Sequence, residues 1–289
     1  MPPARPHAGS AREAYRHNQA FWDEVTPVHA RSEFYGVDRF MAGENPLTPF
    51  VVEEVGDVRG LSLLHLQCHF GLDTLGWARL GANVSGVDFS GASIAKAREL
   101  AEQAGLEAEF VHSNIFDLGS RFDGRFDRVF TSFGVLCWIG DLAAWGRLIA
   151  RALKPDGVFY IAEFHPVLDM LQDRRPIVKR EDAWPDLPYF AEGGPFRFDP
   201  TGDPESDSDY AEPGFHSDET TVEWFHPLSE VFGALLGAGL VIENLNEFPF
   251  ITYRARQGMQ RGEDGYWRFP PEVTPLPLTY SIRARKPQE

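Results

Sequence analysis

The sequence predicts an α/β protein with a doubly wound, mostly parallel, seven-stranded sheet and helices on both faces. Three observations carry this. Short apolar runs alternate with helical patterns from about residue 60 to residue 165. The runs are apolar on both faces, as strands covered on both sides by crossover helices must be. Two further strand patterns, 240–248 and 278–286, close the chain and bring the count to seven.

The elements follow in order. An amphipathic helix around Tyr15, Phe21, Trp22 and Val25 opens the chain, within 10–35. LSLLHLQ at 61–67 is a buried strand, and Leu72, Leu75 and Ala78 give the next helix its face before Gly81 stops it. NVSGVDFS at 83–90 is the second strand. Ser90 is the N-cap of a helix whose face is Ile94, Ala97, Ala101 and Ala104 and whose end is Gly105. Strands at 107–114 and 126–133 follow. Asp141 caps a helix with Leu142, Trp145, Ile149 and Ala152 on one face, and Pro155 prevents its continuation before the strand 157–164.

The pattern breaks over 166–221, which is rich in Pro, Asp, Gly and aromatics, including Trp184, Tyr189, Phe196 and Phe198. Its acidic stretch 199–209 reads as an exposed loop. An apolar helix resumes at 226–239. The expected division is an N-terminal helical cap at 1–55, a main domain of 56–165 with 226–289, and an inserted capping region at 166–225.

Composition narrows the function. The 289 residues hold 27 Lys and Arg against 43 Asp and Glu, a net charge of −16, with 43% hydrophobic residues. Such a surface repels phosphate backbones and anionic lipid, so neither nucleic acid nor membrane is an expected partner. Two cysteines make no disulfide framework, and the N-terminus has no apolar signal core, so a cytoplasmic location is expected.

Ligands of open parallel sheets sit beyond the carboxyl ends of the strands. There the chain carries the loop Gln67-Cys68-His69-Phe70-Gly71 and, 17 residues beyond Gly71, Asp88. An acidic residue at that place takes the two hydroxyls of a ribose. A dinucleotide site needs G-x-G-x-x-G for close approach of a pyrophosphate, and here only Gly71 remains. A nucleoside cofactor without phosphates is the better fit. The pair His65 and His69 lies on a strand and its turn rather than on a helix, so no metal is expected.

At this point the sequence resembles the class I methyltransferases that use S-adenosylmethionine (SAM). The matching stretches are LLHLQCHFGLDTLGWARLGANVSGVDFSGASIAKAREL, FVHSNIFDL, FDRVFTSFGVLCWIGDL and LKPDGVFYIAEFHP, covering roughly 61–166. The family's first motif reads like LDLGCGTG. In this chain His65 replaces the acidic residue, and Gln67 and His69 replace glycines. The resemblance implies that Cys68, His69 and Gly71 line the methionine and ribose, with Asp73 and Thr74 opening the helix nearby. It places Asp88 on the ribose, Phe89 on the adenine, Asn114 on the adenine amino group and Ile115 against the ring. Ser132, Phe133 and Gly134 then lie under the methionine part, with Trp138 near enough to reach the pocket. Glu163 faces either solvent or the sulfonium. His165 is the candidate general base, against the competing expectation of a structural histidine bonded to a neighbouring loop.

The function so implied is methyl transfer from SAM to a small-molecule nucleophile, through O, N or C. The alternatives are a non-catalytic SAM-binding protein and a nicotinamide-dependent oxidoreductase. A macromolecular acceptor is a third, with protein favoured over nucleic acid by the surface charge.

Overall fold

The computed structural model describes residues 5–6, 9–171, 176–183, 185, 187–190, 194–202 and 208–288. The sheet strands are β1 (Ser62–Leu66), β2 (Asn83–Asp88), β3 (Ala108–His112), β4 (Phe126–Thr131), β5 (Leu153–Phe164), β6 (Val241–Phe248) and β7 (Thr279–Arg285). Their order is β3-β2-β1-β4-β5-β7-β6, and β7 runs antiparallel to both of its neighbours. The order reverses between β1 and β4, so a crevice opens at their carboxyl ends.

The main helices are α1 (Ala11–His29), α2 (Val37–Met41), α3 (Pro49–Val55), α4 (Leu72–Arg79), α5 (Gly91–Ala104), α6 (Leu142–Ala152), α7 (Pro166–Met170) and α8 (Leu228–Gly237). The predicted caps are in place. The Ser90 side chain accepts from the Ser93 N–H, the Asp141 side chain from that of Ala144, and Gly105 is left-handed with φ 64°. The β1 side chains divide between the two layers, as a sheet covered on both faces requires. Leu64 and Leu66 join the α6 and α8 side of the core, whereas Leu63 packs with Trp77 and Val51 on the other.

Three features differ from the expectations. Strand β5 begins at Leu153, before Pro155, because Asp156 takes a left-handed turn and lets the chain rejoin β4 through a register shift. Residues 251–273, expected in the main domain, bury Ile251, Ala255, Met259 and Val273 against Leu168, Leu171 and Ile177 of the region after β5. The acidic stretch is not an open loop at its end. Asp209 is a buried partner of His29, with ring nitrogen and carboxylate 3.0 Å apart. Trp184 lies outside the described residues.

Two distant segments build one cover. Residues 5–6 pair with Phe196–Phe198, which pair with Thr221–Glu223 in a small antiparallel sheet. Helix α1 lies between this sheet and α5. Its Asn18 amide makes two bonds to the Val222 backbone, 2.7 and 2.8 Å. Asp23 accepts from the Ser90 hydroxyl and the Ala92 N–H at the start of α5, and Gln19 donates to the Phe89 carbonyl. Thr26 bonds Ser93 at 2.7 Å. The polar residues that make α1 amphipathic thus have named partners on both neighbours.

Candidate active site

The β1 loop is tight without the usual glycines. Gln67 and His69 adopt φ of 56° and 50°, in the left-handed region that side chains adopt at a cost. Two bonds hold them there. The Gln67 amide donates to the Val135 carbonyl, and the His69 N–H donates to Asp88 at 2.8 Å. Gly71 is needed as glycine. Its φ is 79°, and a Cβ would lie 2.7 Å from the Phe110 ring.

Asp88 ends β2 and is 6% exposed. One oxygen accepts from His69 and the other from the Ser90 N–H. Burial pushes its pKa up to about 6, and those two N–H groups oppose the rise. Asp88 therefore ties the β1 loop to the start of α5 and still has lone pairs for further donors. The next residue, Phe89, lines a cavity of about 420 Å³ together with Arg12, Tyr15, Arg16 and Gln19 of α1 and with His112, Asn114, Phe116 and Asp117. A second cavity of about 580 Å³, around Asn83, Glu107 and Arg125, lies at the amino-terminal ends of the strands, away from this chemistry.

The expected adenine residues separate. Phe89 and Asn114 line the cavity, and the Asn114 side-chain oxygen already accepts from the Phe116 N–H. Ile115 is instead buried in the core at 4% exposure, so Phe116 supplies the wall. Tyr15, Gln19 and Arg16 come from α1, whose place beside this cavity no sequence motif signals.

The methionine-end candidates converge under the β1 loop. Cys68 is buried and its thiol pKa is pushed up by burial. His65, 1% exposed, bonds Thr74 through Nδ1 at 2.8 Å and Ser132 through Nε2 at 3.3 Å. The Ser132 hydroxyl also steadies the Asp73 carboxylate, whose pKa burial pushes up to about 6. The His69 ring is enclosed by Trp22, His29 and Tyr35, with centroids 4.9, 5.3 and 5.3 Å away. Phe133 stacks on Phe164. Trp138 donates to the Gly134 carbonyl and packs on Phe21 and Trp22 of α1.

Glu163 settles its open question. It does not face solvent. It is 4% exposed, and its carboxylate accepts from the N–H groups of Gly134, Val135 and Leu136. It therefore fixes the loop after β4.

His165 is held in a structural arrangement. Its Nδ1 accepts from the Val167 N–H at 3.2 Å, so Nε2 carries the proton and donates to Glu247 at 2.9 Å. Both ring nitrogens are used, the residue is 3% exposed, and burial lowers its pKa. A general base needs a free ring nitrogen. Sequence reasoning did not single out Asp169 and Glu223, which lie near Glu163 and Cys137. Burial pushes both up to about 7, yet both keep part of their surface accessible.

Residues 64–161 match the family model of the methyltransferase domain. That stretch of the chain, from β1 into β5, is similar to a methyltransferase domain. Among curated relatives, a ubiquinone biosynthesis O-methyltransferase of Methylobacterium sp. (strain 4-46) is 30% identical over 166 residues, 53% of this chain and 62% of the relative. The chain spans less than two thirds of the length of the curated relatives it matches. A SAM-dependent methyltransferase from Mesorhizobium loti shares its fold with a TM-score of 0.56 at 21% identity, over 85% of this chain and 99% of that one. The [4+2]-cyclase SpnF does so with a TM-score of 0.54 at 19% identity, over 98% and 99%. The methyltransferase fold therefore also carries a protein named for another reaction, and the site must argue the activity.

Proposed function

We propose that this methyltransferase moves the methyl group of SAM to a nucleophilic atom of a small molecule. The observation that carries the reading is Asp88. It ends β2, is locked to the β1 loop by the His69 N–H, and directly precedes Phe89, which with Asn114 lines a cavity. In this reading Asp88 accepts from the ribose hydroxyls, and Phe89, Asn114 and Phe116 hold the adenine, with Ile115 backing them from the core. Cys68, His69 and Gly71 form the loop over the ribose and sulfur. Asp73, Thr74, Ser132, Phe133 and Gly134 lie toward the methionine end.

SAM supplies an electrophilic methyl on a sulfonium, and the chain supplies alignment and exclusion of water. Helix α1 and residues 196–223 serve as the cover, with the acceptor beneath it near Asp169 and Glu223. Those two carboxylates, both raised to about 7, are better placed than His165 to take a proton if the acceptor arrives with one. His165 then acts by holding the end of β5. A cytoplasmic setting, without nucleic acid or membrane, suits the net charge of −16.

Calorimetry with S-adenosylhomocysteine (SAH) and with NAD tests the reading. Binding of SAH and not NAD is expected; the reverse result overturns it. Methyl-labelled SAM offered to a metabolite pool then separates an enzyme, which labels a product, from a protein that only binds the cofactor.

A further inference from the structure

The loops that meet where β1 and β4 end hold carboxylates and no fixed positive charge. From His65 to Ala78 the only charged side chain is Asp73, and from Thr131 to Gly146 it is Asp141. An amino-acid tail entering this corner brings one ammonium and one carboxylate. Neither loop offers a guanidinium or lysine to the carboxylate.

Asp73 lies in the first turn of α4 and keeps part of its surface accessible. Among the described residues the Ser132 hydroxyl steadies its charge, and surrounding protein raises its pKa to about 6. A carboxylate so placed gains most from a cation that brings its own donors. Behind it, His65 occupies the position of the family's acidic residue. It touches Ser132 on one side and Thr74 on the other, at 3.3 and 2.8 Å. Burial lowers its pKa to about 3, so the ring is neutral and serves as a fixed spacer.

We infer that Asp73, together with Ser132, anchors the α-ammonium group of the cofactor's methionine tail, and that His65 is a positioning residue that sets both through Ser132 and Thr74. This rests on the SAM reading and adds to it how an altered first motif holds the tail. An ammonium has three donors and no acceptor, which a carboxylate and a hydroxyl oxygen together satisfy. The tail carboxylate would meet Asp73 as a like charge, so the site grips one end of the amino acid and turns the other away.

The test compares three ligands on the intact protein by calorimetry. SAH carries both groups, its decarboxylated analogue keeps only the amine, and 5′-methylthioadenosine has neither. In the wild type, the decarboxylated analogue is expected to bind within a few-fold of SAH, and methylthioadenosine about tenfold or more weaker. Asp73→Asn should bring SAH down toward methylthioadenosine, whose own affinity stays the same. His65→Leu should lower the SAH to methylthioadenosine ratio, and His65→Asn, which keeps an amide near Nδ1, should restore part of it. A decarboxylated analogue no better than methylthioadenosine, or an unchanged ratio in Asp73→Asn, overturns the inference. The wild-type comparison needs no variant to fold. If neither SAH nor methylthioadenosine binds the wild type, the cofactor reading itself has failed.

Discussion

The proposed nucleoside side and the proposed acceptor side of this crevice are built differently. On the nucleoside side, Asp88, Phe89, Asn114 and Phe116 come from the ends of β2 and β3 and what directly follows them. The side-chain contacts of Asp88 and Asn114 stay within 19 residues, from Asp88 to Ser90 and His69 and from Asn114 to Phe116, and Gln19 of α1 is the distant partner, on the Phe89 carbonyl. On the acceptor side, Glu163, Asp169 and Glu223 lie near one another from segments up to 60 residues apart. The cover above them joins α1 to residues near 209 and 222. A region made of local motifs is fixed by the sheet. A region assembled from distant segments depends on buried polar contacts, and removing one of those costs stability before it costs chemistry.

Glu163→Ala is the harshest test of that contrast. It strips the partner from three backbone N–H groups in the loop after β4. A loss of about 3 kcal/mol or more is expected in denaturant unfolding. A variant as stable as wild type would show that this loop needs no carboxylate.

Asp88→Ala should act on affinity. Losing a charge-assisted contact of about 1.5–3 kcal/mol weakens SAM by about ten- to a hundredfold. Unchanged SAM affinity in a folded Asp88→Ala protein removes Asp88 from the ribose.

His165→Ala lies between the two sides. As a cap of α7 bonded to Glu247, it should lower the melting temperature by an amount matching about 1–2 kcal/mol. Turnover per folded molecule should stay nearly intact. A hundredfold fall in turnover with unchanged stability would return His165 to the chemistry.

The smallest effect is a pH trend. Asp73 and Asp88 are raised to about 6, and Asp169 and Glu223 to about 7, all by burial. Each binds its proton more tightly in the folded chain than in the unfolded one. Their shared contribution to stability is full below about pH 4 and is lost as pH rises through 6 to 7. Ligand-free protein should therefore gain stability on going from pH 8 to pH 5, seen as a rising denaturant midpoint. SAM affinity should move the opposite way below pH 6, because ribose hydroxyls prefer the charged Asp88. A flat stability profile over this window would mean that the crevice is better hydrated than its side-chain burial indicates.

What the sequence determined by itself is local. Ser90, Asp141 and Gly105 cap helices because a cap needs only the next three residues. Apolar runs bounded by turn residues set β1 to β4, and Asp88 was legible because the strand and turn that place it lie within a few residues. The roles of Glu163 and His165 were not legible. Each is decided by a partner from another part of the chain: residues 134–136 for one, and Glu247 on β6 for the other. The burial of Asp209 against His29, 180 residues away, contradicts the polarity of its own neighbourhood. Local pattern reports what a segment prefers alone. Only the tertiary structure decides which buried polar group meets which, because desolvation is compensated by whatever partner the fold brings within reach.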